Sequence, residues 1–227
     1  LNLRLVADEE TAKLTGGTIE PTLETQWDKI DVLIAMGGDG TMLKAVRDLK
    51  GRDKPVIGVN LGSLGYLTSV TESDLERALD CFARGDFTYT ERSIAECSVL
   101  RNGQPMAAYR ALNDIVIRSH SHRVINLNMS VDGEEVGHFI CDGLIVSTPT
   151  GSTGHSLSAG GPVLLPTSRS LVVSLICPHT LSTRPLVVPD GSVIRVTVES
   201  QVECMMTADG QIGQPLAKCD LLDTKRS

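Results

Sequence analysis

A glycine-rich turn around a single carboxylate is the first group of residues with a chemical use. The turn Gly37-Gly-Asp-Gly-Thr41 lies between a short apolar run and a segment with helical spacing. A helix N-terminus offers backbone N–H groups and a positive dipole end to a phosphate, and glycines let the phosphate approach. Asp39 would repel phosphate, so we expect it to meet a hydroxyl group or a metal ion. The alternative is an ordinary strand-to-helix turn in which Asp39 caps the helix.

A second candidate segment is rich in glycine, serine and threonine. It begins at Asp142, continues through an apolar strand pattern and ends at Pro162, with His155 near its middle. Small hydroxyl side chains and backbone N–H groups suit the phosphates and riboses of a nucleotide. A flexible linker is the alternative, although a linker does not normally follow a buried strand.

A third candidate is the pair Asn113-Asp114, which opens the strand pattern Ile115–Ile117. An amide beside a carboxylate can bind sugar hydroxyls or an adenine edge, and an Asx turn is the alternative. The glycine turn matches neither the P-loop nor the dinucleotide fingerprint. Because the five histidines lack His-x-x-x-His spacing, we expect no transition-metal site.

The elements that must position these segments change in character near residue 90. Before it, strand and helix patterns alternate, which predicts a small doubly wound, Rossmann-like α/β domain over residues 1–88. After it, short strand patterns and the hairpin turns Asn102-Gly103 and Asp132-Gly133 predict an all-β, sandwich-like domain over residues 89–227. We expect the last residues to return to the first domain. The strand patterns of the first domain are at Asp31–Met36 and Lys54–Asn60, and the helical ones are at Thr41–Leu49 and Leu75–Gly85.

Composition excludes several classes of function. The chain of 227 residues has 21 Lys and Arg against 28 Asp and Glu, and only 3% aromatic residues, which argues against a nucleic-acid partner. Its longest uncharged apolar run, Leu171–Cys177, is too short to span a membrane, and no stretch has the layout of a signal peptide. The six cysteines form no Cys-x-x-Cys pattern, so we expect reduced, mostly buried thiols in a cytoplasmic protein.

Further motifs occur along nearly the whole chain. They are Gly-Ser-Leu-Gly-Tyr-Leu-Thr (62–68), Leu-Asn-Asp-Ile-Val-Ile (112–117), Asp-Gly-Leu-Ile-Val-Ser-Thr-Pro-Thr-Gly-Ser-Thr (142–153), Ser-Leu-Ser-Ala-Gly-Gly-Pro (156–162), Pro-His-Thr-Leu-Ser (178–182) and Asp-Gly-Gln (209–211). With the glycine turn, this set resembles the bacterial-type NAD kinase family, which uses ATP or polyphosphate. The Gly-Gly-Asp-Gly sequence alone also occurs in lipid kinases and phosphofructokinases, whereas the Thr-Pro-Thr-Gly-Ser-Thr and Pro-His-Thr-Leu-Ser blocks are far more specific.

The resemblance implies a phosphotransferase. It would transfer a phosphoryl group from ATP, or from polyphosphate, to the 2′-hydroxyl of the adenosine ribose of NAD, with Mg²⁺ required and NADP as product. It also implies an active site between the two domains, and a homodimer or homotetramer in which one subunit completes the site of another. Two alternatives stay open: a lipid kinase of the diacylglycerol or sphingosine type, which would need an apolar groove, and a non-catalytic NAD(P)-binding protein.

The resemblance also implies a role for particular residues. Asp39 would contact the 2′-hydroxyl and act as general base, Gly40 and its loop would take donor phosphates, and Asp142 would face the nicotinamide ribose. The loop residues are Gly37, Gly38 and Thr41, and the other substrate-binding residues are Tyr66, Asn113, Asp114, Thr153, Gly154, His155 and Ser158. Asn113 and Asp114 would hold ribose or adenine groups, and the segment from Thr153 to Ser158 would line the adenine pocket.

The chain departs from the family pattern at some of these positions. Gly154-His155 stands where Ala-Tyr is common, Tyr66 replaces a usual Phe, and Asp114 replaces a frequent Glu. Histidine is smaller than tyrosine and titrates near neutral pH, so we expect nucleotide affinity or a subunit contact to differ. The first strand and helix of the family's α/β domain are expected before Leu1.

Overall fold

The computed structural model describes residues 4–16, 18–21, 24–62 and 65–227. The chain divides into two compact units, the first ending at Tyr89 and the second spanning Thr90–Ser227. Each unit has its own sheets, parallel in the first and antiparallel in the second. The predicted fold class, a small α/β domain followed by a β-rich domain, is confirmed.

Strands and helices alternate in the first unit, as predicted. Its strands are β1 (Val6–Ala7), β2 (Glu20–Pro21), β3 (Leu33–Met36), β4 (Val56–Asn60) and β5 (Val70–Thr71). Its α-helices are α1 (Glu9–Leu14), α2 (Asp39–Asp48) and α3 (Leu75–Arg84), and 3₁₀ turns occur at Glu24–Lys29 and Glu72–Asp74. β3, β4 and β5 form a parallel sheet in that order, and β1 pairs with β2, also in parallel. Parallel neighbours need a crossover connection, and α2 supplies it between β3 and β4.

Two glycines explain how the first unit packs and where its last helix ends. A Cβ at Gly58 on β4 would lie 2.8 Å from Met42 Sδ and 3.0 Å from Thr68 Cα, so glycine lets α2 approach the sheet. α3 ends at Gly85, whose φ of 72° is the left-handed conformation typical of a helix C-terminus. The helix end predicted at Gly85 is therefore confirmed.

Two six-stranded antiparallel sheets make up the second unit. The first has the order β10-β9-β14-β17-β6-β7, and the second has the order β13-β12-β11-β8-β15-β16. The strands are β6 (Ala95–Arg101), β7 (Gln104–Ala111), β8 (Asp114–Ser119), β9 (Ile125–Val131), β10 (Glu134–Cys141), β11 (Gly143–Ser147), β12 (Ser170–Ile176), β13 (Leu186–Pro189), β14 (Ile194–Val198), β15 (Cys204–Ala208), β16 (Ile212–Leu216) and β17 (Leu221–Arg226). Between β11 and β12 lie a 3₁₀ turn (Gly151–Thr153) and the short helix α4 (His155–Ser158). Buried side chains of both sheets, among them Leu127 and Leu222 of one and Ile117 and Leu144 of the other, form one core.

Tight hairpins join several neighbouring strands of this sandwich. Asn102-Gly103 joins β6 to β7, and Asp132-Gly133 joins β9 to β10. All four residues have positive φ, so both predicted two-residue turns are confirmed. A three-residue turn, Asp209-Gly-Gln211, joins β15 to β16, with φ values of 52° at Asp209 and 63° at Gly210.

The C-terminal strand corrects one expectation. β17 lies between β14 and β6 in the second unit, and Ser227 N donates to Ile94 O at 2.9 Å. This strand thus completes the sandwich, where it pairs with a neighbour on each side and buries Leu222 and Thr224, and it does not form an element of the first unit.

The cysteines and the helices bear on two further expectations. Cys97, Cys141 and Cys204 are buried, whereas Cys177 and Cys219 are exposed, so the prediction of mostly buried thiols is right for only half of them. No helix in the described ranges has the length and apolarity that spanning a bilayer would require.

An ion pair with one fully buried partner joins two strands of the first sheet at their ends. Arg101 donates to both oxygens of Asp220, at 2.8 and 2.7 Å. The side chain of Asp220 is 0% exposed and that of Arg101 is 39% exposed. The hydrogen bonds from Arg101 lower the pKa of Asp220 below its ordinary value, and a further bond from Ala217 N acts in the same direction.

We predict that Arg101→Met lowers the free energy of unfolding by about 2–4 kcal/mol at pH 7, because it leaves a buried carboxylate without its cation. Arg195→Met is the matched control, since Arg195 forms the same two bonds to Asp223 but both side chains are more exposed. Its expected cost is under about 1 kcal/mol. Urea unfolding measures both, and equal losses would contradict the account.

The effect of Arg101→Met should also depend on pH. Because the pKa of Asp220 is lower in the folded protein than in the unfolded chain, its stabilisation is present above an unfolded pKa of about 4 and is lost as the pH falls through the folded value. The difference between wild type and variant should therefore shrink in acid.

Candidate active site

Asp39 is the first residue of α2, and its carboxylate is held by the backbone of a distant loop. Oδ2 accepts a hydrogen bond from Tyr66 N at 3.0 Å, and Oδ1 accepts one from Leu67 N at 2.9 Å. Gly38 is the N-cap residue, and α2 begins two residues earlier than predicted. Asp39 is thus not the N-cap of its own helix, and the two N–H groups fix the direction of its carboxylate.

Close approaches at two glycines make this arrangement possible. A Cβ at Gly65 would lie 2.2 Å from Asp39 Oδ1, so a larger residue would displace the carboxylate. A Cβ at Gly37 would lie 2.3 Å from Thr41 Oγ1, so the turn closes directly onto the first turn of α2. Gly37 N donates to Val59 O at 2.8 Å, which ties the turn to β4.

The loop that follows β4 is braced by the buried side chain of Asn60. Its Oδ1 accepts from Gly62 N at 2.7 Å, and its Nδ2 donates to Thr68 Oγ1 at 3.3 Å. An open cleft of about 540 Å³ lies beside this loop. Its lining residues are Asn60, Leu61, Gly62, Thr71, Glu72 and Ser73. The hydrogen bond between Asn60 and Thr68 therefore joins the two ends of the loop, and Asp39 holds the backbone of Tyr66 within it.

In the second unit, the carboxylate of Asp209 holds the start of β8. Oδ1 accepts from Asn113 N at 2.7 Å and from Asp114 N at 3.2 Å, and Oδ2 accepts from Leu112 N at 3.0 Å. Asp209 N in turn donates to Asp114 O at 2.9 Å. Three consecutive N–H groups converge on one carboxylate, which fixes the backbone of the predicted binding pair Asn113-Asp114.

The hydroxyl-rich segment packs against the same backbone. Thr148 donates from Oγ1 to Leu112 O at 2.5 Å and from its backbone N to Asn113 O at 2.9 Å. A Cβ at Gly151 would lie 2.1 Å from Asn113 O, so only glycine allows this approach. Residues 143–152 are all buried. The segment is therefore part of the folded sandwich, and the linker alternative is wrong.

The predicted adenine-pocket residues lie on the 3₁₀ turn and on α4. Thr153 is half-buried, whereas Gly154, His155 and Ser158 are exposed. Ser156, on the buried side of α4, shares a hydrogen bond of 3.1 Å with Ser174 of β12. This contact anchors α4 to the sheet and leaves the predicted residues accessible to a ligand.

Asp114 and His155 come together across these two elements. Asp114 Oδ2 lies 3.7 Å from His155 Nδ1, and the two side chains are 4% and 67% exposed. Burial raises the pKa of Asp114 to about 6, the charge of His155 lowers it, and the nearby Asp209 raises it. The site thus holds a carboxyl group that titrates far closer to neutrality than an ordinary aspartate.

Asp142 lies at the opposite end of β11 from this group. β11 pairs with β8 so that Ser147 faces Asp114 and Gly143 faces Arg118. Asp142 is exposed, and its hydrogen bond with the thiol of Cys177 raises the pKa of Cys177. The structure therefore groups Asn113, Asp114 and His155 but not Asp142 with them.

Two residues that shape these groups were not assigned a role from the sequence. Asp209 belongs to the Asp-Gly-Gln motif at 209–211, and Gly65 belongs to the motif at 62–68. The Asp-Gly pair at 209–210 is a hairpin signal that could have located the turn. No local signal indicates that the Asp209 carboxylate reaches residues 112–114, because that contact depends on the pairing of β8 with β15.

Comparison with known proteins decides the family. Residues 5–87 match the ATP-NAD kinase N-terminal domain, and residues 112–227 match the ATP-NAD kinase C-terminal domain. The chain is 42% identical over 200 residues to an NAD kinase of Syntrophotalea carbinolica, covering 87% of this chain and 70% of that protein. It is 40% identical over 232 residues to an NAD kinase of Gemmatimonas aurantiaca, covering 100% of this chain and 78% of that protein.

The chain belongs to the NAD kinase family. The predicted resemblance is confirmed, and these relatives do not favour the lipid-kinase or non-catalytic alternatives.

Solved structures of the NAD kinase family have the same fold. Yeast NADH kinase complexed with NADH gives a TM-score of 0.83 at 32% identity, covering 87% of this chain and 59% of that one. An NAD kinase from Archaeoglobus fulgidus in complex with ATP gives a TM-score of 0.77 at 31% identity, covering 96% of this chain and 84% of that one. This chain therefore spans 59% of the yeast structure's length and most of the archaeal one.

We predict that Asp209→Ala lowers the free energy of unfolding by about 2–4 kcal/mol, because three N–H groups lose their acceptor. Asp132→Ala is the matched control: Asp132 is also the first residue of a hairpin turn and has a similar positive φ, but its side chain accepts a single bond among the described residues, from Val193 N. We expect it to cost about 1 kcal/mol. Urea unfolding measures both variants, and a loss at Asp209 no greater than at Asp132 would show that the three bonds add nothing.

Proposed function

We propose that this member of the NAD kinase family transfers a phosphoryl group from ATP, or from polyphosphate, to the 2′-hydroxyl of the adenosine ribose of NAD, giving NADP. The observation that carries the proposal is the fixed carboxylate of Asp39 in its glycine turn. The named activities of the relatives and the ATP and NADH complexes of the related structures support it.

Asp39 would act on the ribose hydroxyl. Each carboxylate oxygen has two acceptor positions, and the N–H groups of Tyr66 and Leu67 take one each. The remaining positions can accept the 2′-hydroxyl and orient its oxygen toward the donor phosphorus. As the new P–O bond forms and the bond to the leaving phosphate breaks, the hydroxyl proton passes to Asp39. Phosphoryl transfer depends mainly on such positioning and on charge stabilisation.

The N-terminus of α2 would take the donor phosphates. The helix has ten residues, and Gly38, Gly40 and Thr41 of the turn are exposed around its first turn. Backbone N–H groups and the helix dipole favour anions at this position. Gly37 and Gly38 present no side chain that would block the approach of a phosphate.

Mg²⁺ would enter with the donor. Among the described residues, no three His, Cys, Asp or Glu side chains are grouped to hold a metal ion. This fits Mg²⁺, which keeps several waters and binds through substrate phosphates with one or two carboxylates. Bound to the donor, it would neutralise charge on the phosphate oxygens.

The second unit would hold the nucleoside of NAD. Asn113 and Asp114 supply an amide and a buried carboxylate, and the exposed residues of α4 stand beside them. Asp142, at the far end of β11, would serve the nicotinamide ribose. These assignments stay proposals that follow from the resemblance and from the polar chemistry of the side chains.

Assembly and location are also proposals. A homodimer or homotetramer fits the exposed apolar residues Val136 and Ile140 on β10 and Val187 on β13, since both are edge strands of their sheets. A cytoplasmic location stays a prediction from cysteine usage.

Asp39→Asn tests the proposed function directly. We expect NADP formation from NAD and Mg-ATP to fall about 100-fold or more, with NAD affinity largely kept, because proton transfer by a positioned base contributes about 10²–10⁴-fold. Asp48→Asn removes a carboxylate from the other end of α2 and should leave the rate unchanged. Mass spectrometry of the product and calorimetry of NAD binding are the measurements. A near-normal rate for Asp39→Asn would remove Asp39 from catalysis.

Gly65→Ala tests whether the direction of the carboxylate matters. The added methyl group would lie 2.2 Å from Asp39 Oδ1, so we expect a fall in kcat of about tenfold or more. Gly62→Ala is the control on the same loop, since its Cβ would meet no atom within 4 Å among the described residues. Equal rates for the two variants would mean that the position of Asp39 does not limit turnover.

A further inference from the structure

The carboxyl group of Asp114 is buried with one oxygen unused by the protein. Its side chain is 4% exposed, and Oδ1 has no hydrogen-bond partner within the described part of the chain. A buried acceptor without a donor is costly, so such a group calls for a partner that the protein itself does not supply, such as a water, an ion or a ligand. Asp114 is also one of the two polar residues that open β8 beside the hydroxyl-rich segment. Its Oδ1 is therefore suited to accept a hydrogen bond from a bound molecule.

The charged groups that act on Asp114 come from two other elements. His155, on α4, places Nδ1 3.7 Å from Oδ2, and Asp209, on the turn between β15 and β16, adds a negative charge nearby. Asp209 is committed to the three N–H groups of residues 112–114. Among the charges of the described residues that act on the pKa of Asp114, the positive one is that of protonated His155.

Asp114 is the stronger hydrogen-bond acceptor at Oδ1 when it is ionised, because a protonated carboxyl group loses the charge that strengthens the bond and can carry its proton on Oδ1 itself. Burial and Asp209 favour the protonated form, and their combined effect places the pKa of Asp114 at about 6 even with His155 opposing them. Without the histidine charge, protonation would begin at higher pH.

We propose that His155 is a positioning residue that, through its contact with Oδ2, holds the buried Asp114 as a carboxylate, so that the unpartnered Oδ1 accepts a charge-assisted hydrogen bond from a hydroxyl or amino group of the bound nucleotide. The inference rests on the proposed function for the identity of that nucleotide. It adds that nucleotide binding weakens as the pH falls through the titration of Asp114, and that His155 sets the pH at which this weakening starts.

The first experiment needs no nucleotide. The carboxyl carbon of Asp114 is followed by ¹³C NMR from pH 4 to pH 8 in the full chain. His155→Gln should raise the midpoint of the Asp114 titration by about 0.5–1 pH unit, whereas His155→Lys, which keeps a cation, should not raise it. His120→Gln, which changes an exposed histidine on another loop, should leave it in place. An unchanged midpoint in His155→Gln overturns the proposal.

The second experiment measures the dissociation constant of NAD by calorimetry over the same pH range. In wild type it should rise as the pH falls through the titration of Asp114, and in His155→Gln the same rise should begin about 0.5–1 pH unit higher. At pH 8, well above the pKa of about 6 that Asp114 has in wild type, the two proteins should bind NAD about equally, because Asp114 is ionised in both. Asp114→Asn should bind about tenfold more weakly at pH 8 and show no such rise.

The two experiments separate failure of the inference from failure of the proposed function. If NAD binds but His155→Gln shifts neither the NMR titration nor the pH dependence of binding, the proposal is wrong and the function stands. If the NMR titration shifts as expected but NAD does not bind at any pH, the coupling of the two side chains is right and the proposed nucleotide is wrong. A purely structural role for His155 would weaken binding equally at every pH, which would also overturn the proposal.

Discussion

The first unit depends on one interaction between a carboxylate and two backbone N–H groups that lie 27 and 28 residues further along the chain. It joins the N-terminus of α2, which follows β3, to the loop that follows β4. Gly65 makes the contact possible because it leaves no side chain in the way. The geometry therefore fixes a carboxylate at the N-terminus of α2. The N–H groups and the helix dipole at this end favour a phosphate donor. A carboxylate there is suited to orient a hydroxyl group toward that donor.

The second unit uses a carboxylate in a similar way. Asp209 gathers the N–H groups of three consecutive residues and so fixes the backbone that carries Asn113 and Asp114. The side chain of Asp114 stays out of this network, and its Oδ1 has no partner in the described ranges. Asp209 thus stabilises the backbone, and Asp114 can bind a ligand. The two carboxylates differ in their partners: Asp209 accepts from backbone N–H groups, whereas Asp114 lies 3.7 Å from a histidine.

Much of the fold follows from local sequence patterns. The apolar run before Gly37 forms β3, the turn pairs Asn102-Gly103 and Asp132-Gly133 form hairpins, and the helix ends at Gly85 as its glycine predicts. These elements were predictable because their signals lie within a few residues of the structure they specify. The start of α2 was misplaced by two residues because Asp39 and Gly40 are poor helix formers that the turn geometry nevertheless includes.

The parts of the site that could not be predicted all depend on contacts distant in the sequence. The candidate residues Asp39 and Asp114 were found because a carboxylate beside glycines or an amide is unusual, and the family resemblance gave them roles. Two contacts follow only from how the loops and strands pack. One joins Asp39 to the backbone of residues 66 and 67, and the other joins His155 to Asp114. The raised pKa of Asp114 has the same origin, since burial is a property of the folded chain.

A crystal structure of the chain with NAD bound would test the central claim, that the fixed carboxylate of Asp39 serves the ribose hydroxyl. The account predicts a carboxylate oxygen of Asp39 about 2.6–3.2 Å from the 2′-hydroxyl oxygen, with the bonds from Tyr66 N and Leu67 N retained. A bound NAD whose 2′-hydroxyl contacts other groups, while Asp39 contacts only the loop backbone, would contradict it.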